Sequence, residues 1–337
     1  MAQITFTEPY KALPSRYEGK MNYRTCGNSG LKLPELSLGF WWNFGSINPY
    51  EDSLAKMTCA FDNGIFCFDL ANNYGPPFGS AEETFGRMYY ENFRPYRQEM
   101  IITTKAGYNM WAGPNGVGSS RKMLVTSLEQ SLRRMRLDYV DIFYSHRYDA
   151  DTPLDETLRA LADIVHQGKA LYIGLSNYPA DKLMESIAFL KSEGVPPLIY
   201  QGKYNMLVRD VEAKHLGVLE KEMIGFTAFC PIAQGILTNK YLNGIPADSR
   251  VAQGKYLTKD SIPAELLDKI KELDNFAYSR GQSLAQMATA WLLAKSAVTS
   301  VIIGPRTIDQ LKDSIKAIDN INFSETELHQ IDKILSK

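Results

Sequence analysis

The sequence alternates eight times between a short apolar run and an amphipathic helical stretch. The runs are LSLGF, IFCFDL, MIITTKAG, YVDIFYSHR, ALYIGLSN, PLIYQGKYN, GFTAFCPIAQG and VTSVIIG. Most are apolar on consecutive positions rather than on every second one. Such runs suit strands of a parallel sheet covered on both faces, where neither side of the pleat meets water. Parallel strands need crossover connections, and eight strand–helix units are the count that closes a (β/α)8 barrel. The expected fold class is therefore α/β, a (β/α)8 TIM barrel. A doubly wound open sheet is the competing arrangement, but no GxGxxG follows the first strand.

Start signals mark several of the intervening helices. Ser80 with Glu83 three positions on has capping-box spacing and predicts a helix over residues 80–92. Thr152 followed by Pro153 predicts an N-cap and a first helical residue. Ahead of the barrel, MNYRTCGNSGLKLPELSLG places two extended runs around Gly27-Asn28-Ser29-Gly30, which predicts a β-hairpin suited to plugging one end of the fold. Residues 1–20 are polar, carry Pro9 and Pro14, and are expected to be an arm without its own core; residues 21–337 are expected to form one domain.

Composition narrows the function classes. A net charge of -1 argues against a nucleic-acid partner, which draws basic surfaces. The cysteines Cys26, Cys59, Cys67 and Cys230 have no CxxC spacing. Cys59 and Cys67 lie in apolar contexts and read as buried thiols of a reducing compartment. The N-terminal stretch has no basic segment followed by an apolar one, so no signal peptide is expected. No run reaches the length of a membrane span. A cytoplasmic protein without membrane or nucleic-acid partners, and without a bound metal, is the expectation.

In a (β/α)8 barrel the chemistry lies at the C-terminal ends of the strands. There the sequence places Asp69 and Tyr74 (FDLANNYG), Lys105 (ITTKAG), then Ser145 and His146 (FYSHR). Ser176 and Asn177, Gln201 with Tyr204, Phe229, Cys230, Gln234 and Gly235, and finally Gly304 and Arg306 follow on later strands. Taken singly each has a plain reading: a rim tyrosine, a structural ion pair, a satisfied core histidine. Together, an acid, a phenol, an amine and an imidazole arrive at one edge of three consecutive strands, and adjacent strands are ~5 Å apart. A tyrosine is a poor acid at neutral pH, but an ammonium beside it favours the phenolate. Asp69 would hold Lys105, and His146 would donate to a carbonyl oxygen resting on the Tyr74 hydroxyl. That set suits protonation of an alkoxide as a hydride arrives, and no side chain supplies a hydride, so a cofactor is implied.

FDLANNYG, ITTKAG, DIFYSH, GLSNY and YQGKYN resemble the aldo-keto reductase superfamily in order and spacing, from about Tyr23 to the C-terminus. NYGPPFGSAEE, KAGYNMWAGPNG, YSHR, AQGILTNKYLNGIP and GQSLAQMATAWLL are most similar to its branch of bacterial L-glyceraldehyde 3-phosphate reductases, which is related to potassium-channel β subunits. The resemblance implies NADPH bound in extended form across the barrel mouth. By position, Tyr74, Asp69, Lys105 and His146 would be catalytic, and Asp69 would also count among the cofactor contacts. Ser176, Asn177 and Gln201 would take the nicotinamide carboxamide, Phe229 would stack on its ring, and Trp41 would line that side. Cys230, Ile232, Gln234, Gly235 and Lys240 would follow the pyrophosphate; Gly304, Arg306, Gln310, Asp313 and Ser314 would hold the adenosine end. Asp313-Ser314 stands where relatives carry Glu-Asn, and Cys230 where they carry Ser or Thr. Arg306 and Lys240 suit the 2′-phosphate.

The loop GYNMWAGPNGVGSS offers Tyr108 and Trp111 as pocket walls, beside Trp41. Its end at Ser120-Arg121 is a candidate seat for a substrate phosphate, against the plainer reading of Ser120 as an N-cap alone. Small aldehydes, glyceraldehyde 3-phosphate and 2-oxoaldehydes such as methylglyoxal among them, are the substrates the resemblance implies. It also implies a homo-oligomer, a tetramer or larger. The alternative function is a cofactor-occupied regulatory or scaffold subunit.

Overall fold

The computed structural model describes residues 9–247, 249–254 and 257–337. Among them the eight apolar runs form parallel strands of a closed barrel: β3 (Leu36–Gly39), β4 (Cys67–Asp69), β5 (Ile101–Ala106), β6 (Val140–Ser145), β7 (Ala170–Ser176), β8 (Ile199–Lys203), β9 (Gly225–Phe229) and β10 (Ser300–Ile303). Before them, β1 (Tyr23–Thr25) and β2 (Lys32–Pro34) pair antiparallel as the predicted hairpin, with Arg24 opposite Leu33. The helices are α1 (Tyr50–Asp62), α2 (Ser80–Met88), α3 (Arg121–Met135), α4 (Leu154–His166), α5 (Ala180–Ser192) and α6 (Gly217–Lys221). They continue with α7 (Arg250–Gln253), α8 (Ala264–Ser279), α9 (Leu284–Leu293), α10 (Ile308–Ile315) and α11 (Glu325–Ser336). The expected α/β barrel is the observed fold.

By contacts the chain falls into two compact units. The first holds the described residues of 1–21, 37–197 and 306–308. Its strands show why β4 and β5 carry chemistry. Phe68 turns to the helix side, packing on Phe40 and Phe85 at 6.2 and 6.0 Å between ring centroids. Side chains alternate along a strand, so Asp69 turns to the opposite side. Asp69 is in register with Thr103, and Lys105 with Tyr144. Thr103 and Lys105 therefore share the Asp69 side, while Thr104 between them reaches Glu82 of α2 at 2.5 Å.

Two helix starts differ from the predictions. Gly79, at φ 88°, precedes α2, so Ser80 is the first helical residue; its hydroxyl donates to the Pro77 carbonyl (2.7 Å), and no capping box forms. Beyond Met88 the expected helix gives way to a π turn over Tyr89–Phe93. Pro153 precedes α4, because the Thr152 hydroxyl donates to Asp149 (2.6 Å) and is not spare for capping. Capping boxes form instead at Ser283 with Gln286 on α9, at Ser324 with Glu327 on α11, and at Thr258 with Ser261 on a short 3-10 turn.

Of the polar arm expected over 1–20, residues 1–8 lie outside the described set. The rest lies along the first unit. Tyr10 donates to Asp62 (2.5 Å), and Arg16 and Tyr17 both donate to Glu99 (2.6 Å).

The second unit holds the described residues of 22–36, 198–305 and 309–337. Here the hairpin seats on the N-terminal ends of β8 and β9. A side chain at Gly27 (φ 55°) would meet the Met223 carbonyl at 2.5 Å and the Gly225 amide at 2.9 Å, which explains the glycine. Arg24 ties the hairpin to the carbonyls of Leu293 and Val298 (2.7 and 2.8 Å).

All four cysteines are free thiols. Cys67 is buried as expected. Cys59 is only half-buried, because the inner face of α1 is Ser53, Lys56, Met57, Ala60 and Phe61. No helix among the described residues is long and apolar enough to cross a membrane.

Candidate active site

The first unit brings Asp69, Lys105, Tyr74 and His146 together. Lys105 is fully buried, and its Nζ donates to Asp69 Oδ2 (2.6 Å) and to the Leu70 carbonyl (2.7 Å). Thr103 donates to the other carboxylate oxygen (2.9 Å). Burial pulls the Lys105 amine below its ordinary value, and Asp69 pushes back. The ammonium nitrogen lies 5.0 Å from the centre of the Tyr74 ring. Tyr74 is set by its own turn: its amide donates to the Ala71 carbonyl (3.0 Å), and its carbonyl accepts from Gly79 (3.2 Å) and Ala81 (3.3 Å). Gly75, at φ 122°, has no room for a side chain, which would lie 2.4 Å from the Pro77 carbonyl.

His146 packs edge-on to Tyr74, with centroids 5.9 Å apart at 70°. It is buried, and its Nδ1 has no hydrogen-bond partner among the described residues. Burial, then the charges of Lys105 and Arg147, hold its pKa well below the usual imidazole value. The imidazole is therefore neutral at pH 7 and keeps one N–H and one lone pair. Tyr108 stands edge-on to the same ring at 4.7 Å and 85°.

The loop carrying Tyr108 and Trp111 is closed at its base: Gly118 donates to the Gly107 carbonyl (3.1 Å), and so does Arg147 Nε (3.1 Å). Asp149 fixes the loop's end by accepting from the Ser119 amide (2.8 Å). Burial opposes ionisation of Asp149, but hydrogen bonds from Thr152, Ser119 and Asp151 together with the Arg147 charge hold its carboxyl below the ordinary range. Trp111 is half-buried and backed by Gly116, where a side chain would lie 1.9 Å from the Trp111 carbonyl.

The expected phosphate seat at Ser120 and Arg121 is not there. Ser120 Oγ accepts from the Met123 amide (3.2 Å) as an N-cap. The Arg121 amide donates to Glu156 (2.9 Å), and its guanidinium pairs with Asp163. Carboxylates from α4 fill the position a phosphate would take.

Trp41 is half-buried and meets Trp42 edge-on at 5.9 Å. The next residue, Asn43, has φ 68°, and its carbonyl accepts from Lys56 Nζ of α1 (2.7 Å). Lys56 is 2% exposed, lies 4.2 Å from the Phe44 ring centre, and is drawn down to about 8 by burial, against Asp52. Unfolded lysine titrates near 10.4. Between those values the unfolded state binds more protons, so stability rises with pH; the desolvation cost is complete below pH ~8 and gone above ~10.5. Lys56→Met is expected to stabilise the protein by ~2–3 kcal/mol at pH 7 and by little at pH 10. Urea melts at both pH values test this; a gain of equal size at each would refute the assignment.

At the end of β7 the backbone turns through a left-handed conformation that asparagine tolerates. Asn177 has φ 54°, and its Nδ2 donates to the His146 carbonyl and to Ser176 Oγ (3.0 Å each), which leaves its side-chain oxygen to accept. In the second unit Gln201 is buried. Phe229 ends β9, and Cys230, Ala233 and Gln234 follow at φ 58°, 46° and 60°, uncommon for non-glycine residues. Ile232 between them is at φ -100°, and the turn is closed on itself: the Ala233 amide donates to the Cys230 carbonyl (3.0 Å), and the Gly235 and Leu237 amides donate to the Ile232 carbonyl (2.8 and 3.2 Å). Gln234 Oε1 is buried without a partner among the described residues. Gly235, at φ 101°, continues the turn, and the Lys240 amide donates to Thr238 (3.1 Å). Each unit thus keeps a spare side-chain acceptor, Asn177 Oδ1 in the first and Gln234 Oε1 in the second, which fits the amide and hydroxyl donors of a dinucleotide.

Gly304 is exposed, as are Arg306 and Gln310, and Ser314 is half-buried on α10. Asp313 is committed elsewhere: Gln286 Nε2 and Ser283 Oγ donate to its two oxygens (2.6 and 3.1 Å). Sequence reasoning missed Arg250. It is half-buried at the start of α7, burial lowers its pKa, and its charge acts on Cys230 and Tyr241. Nothing in GIPADSR distinguishes it from a surface arginine. Burial pushes the Cys230 thiol up, against the charges of Lys203 and Arg250. No cluster of metal-ligating side chains occurs among the described residues.

Residues 35–336 match the aldo/keto reductase family. The chain belongs to that family. It is 52% identical over 327 residues to the L-glyceraldehyde 3-phosphate reductase of Escherichia coli K12, covering 96% of this chain and 94% of that one. It is 38% identical over 309 residues to a probable voltage-gated potassium channel subunit beta of Arabidopsis thaliana, covering 89% and 92%. A rice protein of the same description is 37% identical over 322 residues, covering 93% and 95%. As an aldo/keto reductase the protein is an oxidoreductase of the class that works with nicotinamide dinucleotides.

Proposed function

We propose that the protein reduces small aldehydes to alcohols with NADPH, and that Tyr74 is the general acid. The observation that carries this reading is the buried Lys105–Asp69 pair set against the Tyr74 ring beside a neutral His146. When bound, NADPH supplies a hydride to the carbonyl carbon. Tyr74 gives its phenolic proton to the carbonyl oxygen as negative charge grows there. Lys105 lies near enough to stabilise the phenolate left behind, and Asp69 fixes the amine from below. His146 presents its N–H to the same oxygen, and being neutral it does not compete as a proton source.

Ser176, and Asn177 through its spare oxygen, would take the carboxamide in the first unit, with Trp41 along the ring. In the second unit the corresponding set is Gln201, Phe229, and the turn of Cys230, Ile232, Gln234 and Gly235, with Lys240. To these we add Arg250. Gly304, Arg306, Gln310 and Ser314 would serve the adenosine end, whereas Asp313, both oxygens engaged, leaves that set. Arg306 and Lys240 favour NADPH over NADH by offering charge to the 2′-phosphate. The free thiols suit a cytoplasmic location.

The reading is supported by 52% identity to a reductase of L-glyceraldehyde 3-phosphate, which makes that aldehyde the first substrate to try and methylglyoxal the second. Similarity to potassium channel β subunits supports the alternative of a cofactor-occupied regulatory subunit. A steady-state screen of aldehydes with NADPH and NADH decides. The expected result is turnover with NADPH and kcat/KM lower by roughly 10-fold or more with NADH, the loss of a charged pair. Absence of turnover over the whole panel supports the regulatory reading, and a preference for NADH removes the roles given to Arg306 and Lys240.

A further inference from the structure

We infer that Arg147 is the anion-recognising residue of the substrate pocket, and that its guanidinium receives the phosphate of a short phosphorylated aldehyde. The inference rests on the reductase reading above and names the substrate class of that site. Arg147 directly follows His146. Its Nε is committed to the Gly107 carbonyl (3.1 Å), and its guanidinium lies 5.3 Å from the centre of the Tyr108 ring. Tyr108 in turn stands against His146. The cation is thus one aromatic ring away from the imidazole that faces the reacting oxygen. Its backbone is held as well: the Arg147 carbonyl accepts from Ser119 Oγ and Ser145 Oγ (3.3 Å each).

What marks Arg147 is a half-buried charge without a direct ion pair among the described residues; Asp149 acts on it only from beyond contact. Among the described residues no carboxylate lies within salt-bridge distance of it. The other cation of the site, Lys105, is paired with Asp69. Asp149, whose carboxyl Arg147 influences, is satisfied by the Ser119 and Asp151 amides and the Thr152 hydroxyl (2.8, 3.2 and 2.6 Å). A half-buried guanidinium without a direct ion pair is costly, and an anionic ligand relieves that cost. With Nε used and the plane fixed by Tyr108, the two terminal nitrogens remain as a fork. That geometry fits two oxygens of a phosphate and is lost on a lysine's single nitrogen. The seat lies beside His146, which also explains why the Ser120 end of α3 is free to be filled by Glu156.

The test compares wild type, R147M and R147K on glyceraldehyde 3-phosphate and on glyceraldehyde, with NADPH saturating. In R147M the ratio of kcat/KM for phosphorylated over unphosphorylated substrate is expected to fall roughly 10- to 100-fold, mostly through KM. R147K is expected to recover part of that ratio through charge alone. If Arg147 serves only to hold Gly107, R147M slows both substrates alike and the ratio stays, which overturns the inference. So does a wild-type enzyme with equal kcat/KM for the two. A calorimetric titration with sn-glycerol 3-phosphate in the presence of NADP⁺ keeps the two readings apart. Binding by wild type and not by R147M, without turnover of any aldehyde, would sustain the anion seat and remove the reductase reading. Turnover with no difference in binding would do the reverse.

Discussion

Tyr74→Phe is expected to keep the fold and lose at least 10²- to 10³-fold in kcat, the range of a positioned general acid. The substitution removes one oxygen and leaves the ring against Lys105 and His146. The turn that sets the residue uses main-chain bonds to Ala71, Gly79 and Ala81, which phenylalanine keeps. Cofactor affinity, followed by fluorescence titration, is therefore expected to stay within about threefold of wild type, since no binding group is removed. The discriminating quantity is kcat with saturating NADPH and glyceraldehyde 3-phosphate. A variant that turns over at the wild-type rate would mean that the proton comes from elsewhere, and the assignment of the whole cluster would go with it.

Lys105→Met is expected to cost both activity and stability. It leaves Asp69 buried, with Thr103 still donating to one oxygen and the Lys105 ammonium lost from the other. Removing one partner of a buried pair typically costs ~3–5 kcal/mol, because a charge is stranded. Asp69 escapes part of that cost by taking a proton, which raises its folded pKa above the unfolded value near 3.9. Between those two values the folded variant binds more protons than the unfolded chain, so its stability falls as pH rises and the loss is complete above the folded pKa. Urea melts at pH 5 and pH 8 should show the deficit growing with pH. A second variant, Asp69→Leu with Lys105→Met, removes both charges and is expected to regain most of the stability while remaining slow. A single variant as stable as wild type at pH 8 would show that Asp69 does not depend on Lys105.

The barrel and its cluster were legible because both are written in local patterns. Buried parallel strands have to be apolar on consecutive positions, and a polar residue at the end of such a run stands out against it. Asp69, Lys105 and His146 could be read in that way, one strand at a time. What could not be read depends on partners supplied from afar. Ser80 looked like an N-cap until the left-handed Gly79 took that place, and Thr152 until Asp149 drew its hydroxyl away. Ser120-Arg121 looked like an anion seat until α4 supplied Glu156 and Asp163. Lys56 reads as one more charge on an amphipathic helix, yet it is buried under the Trp41 loop. Arg147 and Arg250 carry no local mark at all, since an arginine's role lies in what its charge meets.

The closed base of the loop after β5 has a consequence for how this protein could change its diet. Gly107 and Gly118 meet across the loop's neck, and Met110 and Gly116 join within it at 2.9 Å. The segment between them is built as a cassette: its length and side chains can be exchanged while the neck holds, and Tyr74 and Lys105 are carried by a separate turn and strand. On the proposed function, new aldehydes would be accommodated by rewriting Met110 to Gly116, with Tyr108 kept against His146 and Tyr74, Lys105 and Asp69 left in place.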